Sequence, residues 1–291
     1  MRDFRGKVVV VTGAAGGLGR ALCLRFGAAG ARIVALDRDA AALAGLLADL
    51  QGRGIAAATE VCDVSRDEEC RRAIVGAIQA FGRIDVLINN AGILRDKAFH
   101  KMDHTMIDPV IDVHLKGALY VSQPALRLMR EQGYGRIINT SSASGLFGNF
   151  GQANYGAAKA GLAGLTRVLS IEGASHGIKV NAIAPIASTR MTEDILGNLA
   201  AKVSPESVSP LVAYLAHEEC SVTGHIYSVA GGRVARIFVA ETHGVVLSEN
   251  TAEAVRDNLS LIDELDAERY HHPASLDDET MIIAQALLNV S

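Results

Sequence analysis

No apolar run in this sequence reaches the length needed to span a bilayer, which excludes an integral helical membrane protein. No sign of charge predominates either. A formal net charge of −4 and a pI near 6.1 leave no electrostatic case for nucleic acid or an anionic membrane surface as partner. The four cysteines, Cys23, Cys62, Cys70 and Cys220, show neither metal-ligand spacing nor a disulfide-dense pattern, so they read as reduced thiols. No internal repeat and no low-complexity linker is present. Nothing at the start reads as a cleavable signal, because the charged Met1–Lys7 runs directly into Val8-Val9-Val10-Val11. The final Asn289-Val290-Ser291 is not a peroxisomal address of the Ser-Lys-Leu kind. These absences predict a cytoplasmic enzyme or binding protein.

What is present is globular: 49% of the 291 residues are hydrophobic and 21% charged. Short β-branched runs alternate with Ala/Leu-rich helical patterns, the rhythm of βαβ units and a parallel sheet. The strand-like runs are Lys7–Thr12, Arg32–Leu36, Ile55–Cys62, Ile84–Asn89, Arg136–Ser141, Lys179–Ile183 and His225–Val229. Helical patterns cover Leu18–Ala29, Ala40–Leu50, Arg66–Phe81, Asp103–Glu131 and Ala153–His176, with a pair between Met191 and Ala216. The expectation is an α/β, Rossmann-type, doubly wound parallel sheet of seven strands over residues 1–232. After Gly231-Gly232 the rhythm changes. Residues 233–291 read as a C-terminal appendage packed on the main domain, since so few residues make a poor core alone. It holds a hairpin around Thr242-His243-Gly244 and helices near Thr251–Leu265 and Asp277–Leu288.

The segment Thr12–Gly19, TGAAGGLG, lies between the first strand and the first helix. Gly13, Gly17 and Gly19, with Leu18 among them, allow a sharp turn and close approach to a pyrophosphate at a helix N-terminus. Asp37 ends the second strand, where a carboxylate accepts hydrogen bonds from the adenosine ribose and repels a 2′-phosphate, favouring NAD over NADP. Arg38 beside it weighs the other way, and a helix N-cap is the structural alternative for Asp37. Asp63-Val64 follows the third strand and meets either the adenine or, through Asp63, a helix N-terminus. Asn89-Asn90-Ala91-Gly92 ends the fourth strand. Its small residues admit the cofactor ribose, while Asn89 fits equally a clamp between strands.

Tyr155 and Lys159 are four apart in a helical run, one turn apart on one face. An ammonium beside a phenol favours the phenolate. Bringing a phenol from about 10 to about 7 takes roughly 4 kcal/mol, within reach of a close lysine helped by a positively charged cofactor. Such a phenol is a usable acid/base for an alcohol or ketone. Thirteen residues earlier, Asn139-Thr140-Ser141-Ser142-Ala143-Ser144 ends the fifth strand, where a hydroxyl can hydrogen-bond a substrate oxygen as its charge changes.

With these residues in place the chain resembles the short-chain dehydrogenase/reductase family from about Arg5 to Gly232. The resemblance is carried by TGAAGGLG, Asp63, Asn89–Gly92, Ser142, Tyr155 and Lys159. It implies that Tyr155 is the acid/base, that Lys159 lowers its pKa and binds the nicotinamide ribose, and that Ser142, rather than Ser141 or Ser144, orients the substrate oxygen. Two positions depart from the family pattern. A helix asparagine that holds a relay water corresponds here to His114, which either relays with a different pH response or bonds backbone at a helix bend. The usual Pro-Gly after the sixth strand is Pro185-Ile186, leaving Ser188 and Thr189 near the nicotinamide amide.

Gly92–Gly232 is similar to the dehydrogenase region of peroxisomal D-bifunctional β-oxidation enzymes, through AGILRDKAF, DVHLKGA, YGRIINTSSASGLFGNFGQANYGAAKAGL, IEGASHGIKVNAIAP and STRMTE. That subgroup shares the histidine. It implies NAD-dependent oxidation of a (3R)-hydroxyacyl-CoA, with a hydroxysteroid as second substrate class and NADPH-dependent reduction of a 3-oxoacyl thioester as third. A catalytically silent NAD-binding sensor is the alternative outside enzymes. The stretch between Pro185 and Pro205 has room for a single short lid helix, which predicts an open cleft for a long or bulky acyl group. Arg95, Lys97 and Lys101 either meet CoA phosphates or are solvated surface charge. By the family's habit the chain is a homodimer or homotetramer through the helices at Asp103–Glu131 and Ala153–His176, with the appendage limiting assembly to two.

Overall fold

The computed structural model describes residues 3–188, 203–264 and 270–271. The chain divides into two units, Met1–Arg236 and Ile237–Ser291. The first is built on strands β1 (Val8–Thr12), β2 (Arg32–Asp37), β3 (Ala57–Val61), β4 (Val86–Asn89), β5 (Gly135–Thr140), β6 (Ile178–Pro185), β7 (Ile226–Ala230) and β8 (Arg233–Ile237). Their order across the sheet is β3-β2-β1-β4-β5-β6-β7-β8, with the first seven parallel. Every residue of β1, β4 and β5 is buried, as a parallel sheet covered on both faces requires.

Helices α1 (Gly17–Ala28), α2 (Ala40–Gly52), α3 (Asp67–Phe81), α4 (His104–Ile111), α5 (Gly117–Gln132), α6 (Ala143–Phe147), α7 (Ala153–Gly173) and α8 (Ser209–Ala216) supply the crossovers and covers. One core layer gathers Leu22 and Phe26 of α1, Leu43, Leu46 and Leu50 of α2, and Val212 of α8 against the sheet. The opposite layer gathers Ile74 of α3 and Val121 and Met129 of α5 against Val10, Leu87 and Ile137. Helices thus lie on both faces, and strand order reverses between β1 and β4. That switch point opens a crevice at the carboxyl ends of the strands.

Three expectations change. The sheet has an eighth strand. Gly231 and Gly232, at φ +52 and +89, form a two-residue turn that sends β8 back antiparallel along β7. The hairpin expected around Thr242–Gly244 is therefore not there: Glu241–Thr242 (β9) pairs antiparallel with Tyr270–His271 (β10). Within that second unit the helical pattern near Thr251–Leu265 is two short helices, Ala252–Asp257 and Leu259–Ile262, the first capped by Thr251, whose hydroxyl accepts from Ala254 N. Thirdly, the long helix expected over Asp103–Glu131 is interrupted by a π-helical turn at Asp112–Lys116, which carries His114. Part of the Met191–Ala216 pair, the short lid, Thr189 and the Asp277–Leu288 helix lie outside the described residues.

Side-chain amides brace the two middle strands. Asn89 Nδ2 donates to Ser122 Oγ and Asn139 Oδ1, both at 2.8 Å, and Asn139 Nδ2 donates to Thr166 Oγ1 at 2.9 Å. This buried chain ties α5, β4, β5 and α7, so Asn89 is the clamp.

Candidate active site

A cleft of about 710 Å³ opens along the carboxyl edge of the sheet. Its first wall is the turn between β1 and α1, where Gly13, Gly17 and Leu18 line the space. Gly13 and Gly17 adopt φ +61 and +48, a region L side chains avoid. A Cβ on Gly13 would lie 2.7 Å from Ala91 Cα, so the glycine lets this turn meet the end of β4. Asn90 fastens the contact. Its amide donates to Thr12 O and Gly13 O, both at 3.1 Å, and its backbone N–H to Thr12 Oγ1.

Gly19 does not line the cleft; it lets α1 pack against the turn. A Cβ there would stand 2.1 Å from Gly13 O and 2.8 Å from Asn90 Nδ2. Gly19→Ala is expected to destabilise the fold by about 3 kcal/mol, as a collision with backbone that cannot step aside. It should also weaken dinucleotide binding, and urea unfolding beside a cofactor titration measures both.

Asp37 lines the cleft at the end of β2. Its carboxylate accepts from Ala15 N at 3.0 Å and Asp39 N at 3.1 Å, one on each oxygen, leaving lone pairs for hydroxyl donors. It is not the cap of α2; that is Asp39, which accepts from Ala42 N. Asp63 and Val64 form the neighbouring wall. Asp63 accepts from Ser65 N and Ser65 Oγ, and Arg66 occupies the N-cap position of α3. Burial alone would raise the Asp63 carboxyl, but the two Ser65 bonds and nearby arginines bring it below the ordinary carboxylate value.

At the other end, Gly92, His114, Ser142, Tyr155, Lys159 and Pro185 line the same space. Ser142 caps α6, accepting from Ser144 N at 3.2 Å, and lines the cleft with Tyr155. Ser141 turns away, its hydroxyl donating to Lys159 O at 2.8 Å, which pins α7 to the end of β5. Lys159 is buried, its Nζ 5.5 Å from the Tyr155 ring centre and donating to Thr140 O. Its ammonium does not depress the phenol in this state. Burial raises Tyr155 above its usual value, the Ser142 hydroxyl pulls it down, and the Asp96 carboxylate adds to the rise. Burial instead lowers Lys159 to about 7. The expected acidification of the phenol therefore needs a further positive charge in the cleft.

His114 also departs from expectation as a titrating relay. Desolvation first, then the Lys159 charge, brings it to about 3 against the backbone bond to Ile93, so the ring is neutral across ordinary pH. Nε2 meets the Ile93 N–H at 3.0 Å and Ile93 O at 2.8 Å, and the ring stands edge-on to Tyr155 at 5.0 Å. Of the two alternatives weighed for this residue, the structure shows the backbone bond at a helix irregularity; the ring also faces the phenol. Gly92 makes room for it, since a Cβ there would sit 2.4 Å from His114 Cε1.

Of the remaining candidates, Ser188 lies outside the lining, its N–H bonded to Val203 O at 2.6 Å, while Ile186 and Ala187 line the cleft. Arg95, Lys97 and Lys101 are exposed and do not line it. Sequence reading missed the network tying the loop after β4 to the start of α7. Gln152 Nε2 donates to Asp96 Oδ2 at 2.7 Å, Asn149 Nδ2 to Gln152 Oε1 at 3.0 Å, and Asn154 Nδ2 to Arg95 O and Met106 O. The two amide residues Gln152 and Asn154 just ahead of Tyr155 were the available signal.

A glycine-bent phosphate turn and a serine–tyrosine–lysine group in one crevice of a doubly wound sheet define a dinucleotide-dependent oxidoreductase. The short chain dehydrogenase profile matches residues 7–199, and the chain belongs to that family, whose members act on CH–OH groups with NAD(P). It is 41% identical over 280 residues to peroxisomal multifunctional enzyme A of Dictyostelium discoideum, covering 94% of this chain and 64% of that protein. It is 40% identical over 301 residues to peroxisomal multifunctional enzyme type 2 of Mus musculus, covering 99% of this chain and 40% of that protein. The full-length type 2 enzyme of Drosophila melanogaster superposes with a TM-score of 0.85 at 33% identity, over 99% of this chain and 51% of that one. The chain thus spans about two-fifths to two-thirds of the length of these relatives. Among the described residues no helix is long and apolar enough to cross a membrane.

Proposed function

We propose that the chain oxidises a (3R)-hydroxyacyl-CoA to the 3-oxoacyl-CoA with NAD. The observation that carries this reading is the meeting of Ser142, Tyr155 and Lys159 at the end of β5, in the cleft whose other end holds Gly13 and Asp37. The residues fit a dinucleotide. A Cβ would fill the Gly13 cradle, Asp37 keeps free lone pairs, and two buried atoms on cleft residues, His114 Nδ1 and Thr140 Oγ1, have no partner among the described residues. The acyl-CoA class is supported by identities near 40% to peroxisomal multifunctional enzymes.

Bound dinucleotide supplies the hydride acceptor and a positive charge near the phenol. Gly13 and Gly17 hold its pyrophosphate, Asp37 its adenosine ribose, and Lys159 its nicotinamide ribose. Ser142 Oγ orients the substrate hydroxyl, and Tyr155 Oη takes its proton as the carbonyl forms. Neutral His114 keeps the phenol in place edge-on and leaves one ring nitrogen for a relay water. Asp37 repels a 2′-phosphate, so NAD is preferred. The four free cysteines are all buried and fit a reducing compartment such as the cytoplasm.

The test is the appearance of reduced nicotinamide on mixing protein, NAD and a panel of (3R)- and (3S)-hydroxyacyl-CoA esters and hydroxysteroids. The (3R) thioesters should turn over fastest with NAD. Asp37→Ala should raise the KM for NAD by about tenfold and narrow its lead over NADP. Turnover confined to hydroxysteroids would overturn the acyl-CoA assignment, and a lead for NADP would overturn the role of Asp37.

The proposal includes a homodimer. Leu119 on α5 and Val168 and Ile171 on α7 leave 42%, 52% and 55% of their surface exposed, apolar area suited to a second copy. Light scattering should give at least twice the 30.6 kDa chain mass; a monomer at micromolar concentration would refute it.

A further inference from the structure

We propose that Phe147 and Phe150, with Phe99 on the adjoining loop, form an apolar landing for the fatty tail of the substrate and set a preference for longer acyl chains. This role rests on the acyl-CoA reading of the cleft and names the residues that meet the tail. Phe4 and Phe26 are 2% and 0% exposed in the core, whereas Phe99, Phe147 and Phe150 leave 69%, 72% and 91% of their surface open. Single apolar side chains on a surface are ordinary, but three rings on one rim make a patch that a ligand or partner covers.

The rings stand beside the catalytic end of the cleft. Helix α6 follows its cap, Ser142, and ends at Phe147, while Ala143 and Ser144 at its start line the cleft. Phe150 lies between Asn149 and Gln152, which line it too. Gly148 and Gly151, at φ +82 and +79, bend the backbone before and after Asn149-Phe150. Phe99 belongs to the segment after β4. There Lys97 N donates to Gly151 O at 2.8 Å, and a Cβ on Gly151 would touch Lys97 C at 3.7 Å. The two loops therefore meet within two residues of Phe99 and Phe150. Gln152 Nε2 to Asp96 Oδ2 at 2.7 Å and Asn154 Nδ2 to Arg95 O at 3.0 Å hold them together. The occupant follows from what the cleft takes. The wall from Gly13 to Asp63 suits the dinucleotide, and Ser142 and Tyr155 fix the carbinol carbon, so the tail beyond that carbon leaves over the rim. A helix rises about 1.5 Å per residue, so Phe147 stands about 7–8 Å along α6 from Ser142, a span that a medium or long tail covers and a four-carbon chain does not. Lys97 and Lys101, exposed on either side of Phe99, disfavour a second copy as occupant, since a two-fold contact sets these charges near their own equivalents.

The measurement is kcat/KM of the full chain with NAD on (3R)-hydroxyacyl-CoA esters of four, eight and twelve carbons. In the parent it should climb about thirtyfold across the series. Phe147→Ser with Phe150→Ser should lose about thirtyfold on the twelve-carbon ester, chiefly in KM, and about twofold on the four-carbon ester. Phe99→Ser should lose about threefold on the twelve-carbon ester, and Phe150→Leu, which keeps an apolar surface, should lose less than Phe150→Ser. The positions are exposed, so the variants should melt with the parent and bind NADH as it does. A parent indifferent to chain length, or a double variant that loses equally on short and long esters, would overturn the proposal. So would a fall in the light-scattering mass of the double variant, which would make a second copy the occupant. A parent that oxidises hydroxysteroids and no acyl-CoA ester would instead remove the acyl-CoA reading, and the tail's landing with it.

Discussion

Replacing Tyr155 by phenylalanine is expected to lower kcat by about a thousandfold while leaving dinucleotide binding within about twofold. The ring stays, so the edge-on contact with His114 at 5.0 Å and the burial beside Lys159 survive; what goes is the one atom that exchanges a proton with the substrate. Three influences set that oxygen's acidity in the free protein: burial raises it, the Ser142 hydroxyl lowers it, and Asp96 raises it. Each has its own signature in a pH profile of alcohol oxidation. Ser142→Ala removes a stabiliser of the phenolate and should move the rising limb to higher pH. Asp96→Asn removes a repelling charge and should move it to lower pH. The wild-type limb should lie below the phenol's titration in cofactor-free protein, because the cofactor's positive charge favours the phenolate. Stopped-flow measurement of bound reduced nicotinamide separates the chemical step from release. Undiminished hydride transfer in the phenylalanine variant would remove Tyr155 from the mechanism.

The parallel sheet was legible because its strands are short β-branched runs between helical patterns. Val8–Val11 and the Arg32–Leu36 run could hardly be anything else, and their observed registers follow that pattern. Site residues fixed by a local conformational need were equally plain, as at Gly13, where a positive φ and the approach of Ala91 exclude a side chain. Asn89 had two readings of equal weight, since choosing between ribose and clamp requires knowing that Ser122 and Asn139 flank it, 33 and 50 residues away. The acidity of Tyr155 was harder still. Spacing in a helix tells that Lys159 is one turn away, but not that its ammonium donates to the Thr140 carbonyl or that burial outweighs it. Likewise the π turn at Asp112–Lys116 breaks a segment of plain helical periodicity, and the bond its His114 makes to the Ile93 backbone, 21 residues away, is a tertiary contact that local pattern does not carry.

Lys159→Met is expected to give a dinucleotide-free protein more stable at pH 7 than the parent, by about 2 kcal/mol, and at least a thousandfold less active. Lys159 is fully buried, and its ordinary value of 10.5 falls to about 7 on folding. Between those two pH values the unfolded chain binds a proton that the folded chain does not, so stability rises with pH across that window. The stabilisation is fully present above about 10.5 and is lost as pH falls through 7. A shift of that size corresponds to roughly 4–5 kcal/mol of strain at neutral and lower pH. Methionine fills a similar unbranched space with no charge to desolvate, but Thr140 O loses its lysine donor, at a cost of about 1–3 kcal/mol. The difference is the expected gain. Urea unfolding at several pH values between 6 and 10 should show the parent's stability climbing toward alkali, with that component absent in the variant. If the variant is less stable than the parent at pH 7, the ammonium is better solvated than its burial implies. If the gain appears together with the loss of turnover, the lysine is a stability cost retained because the nicotinamide ribose and the phenol both need its charge.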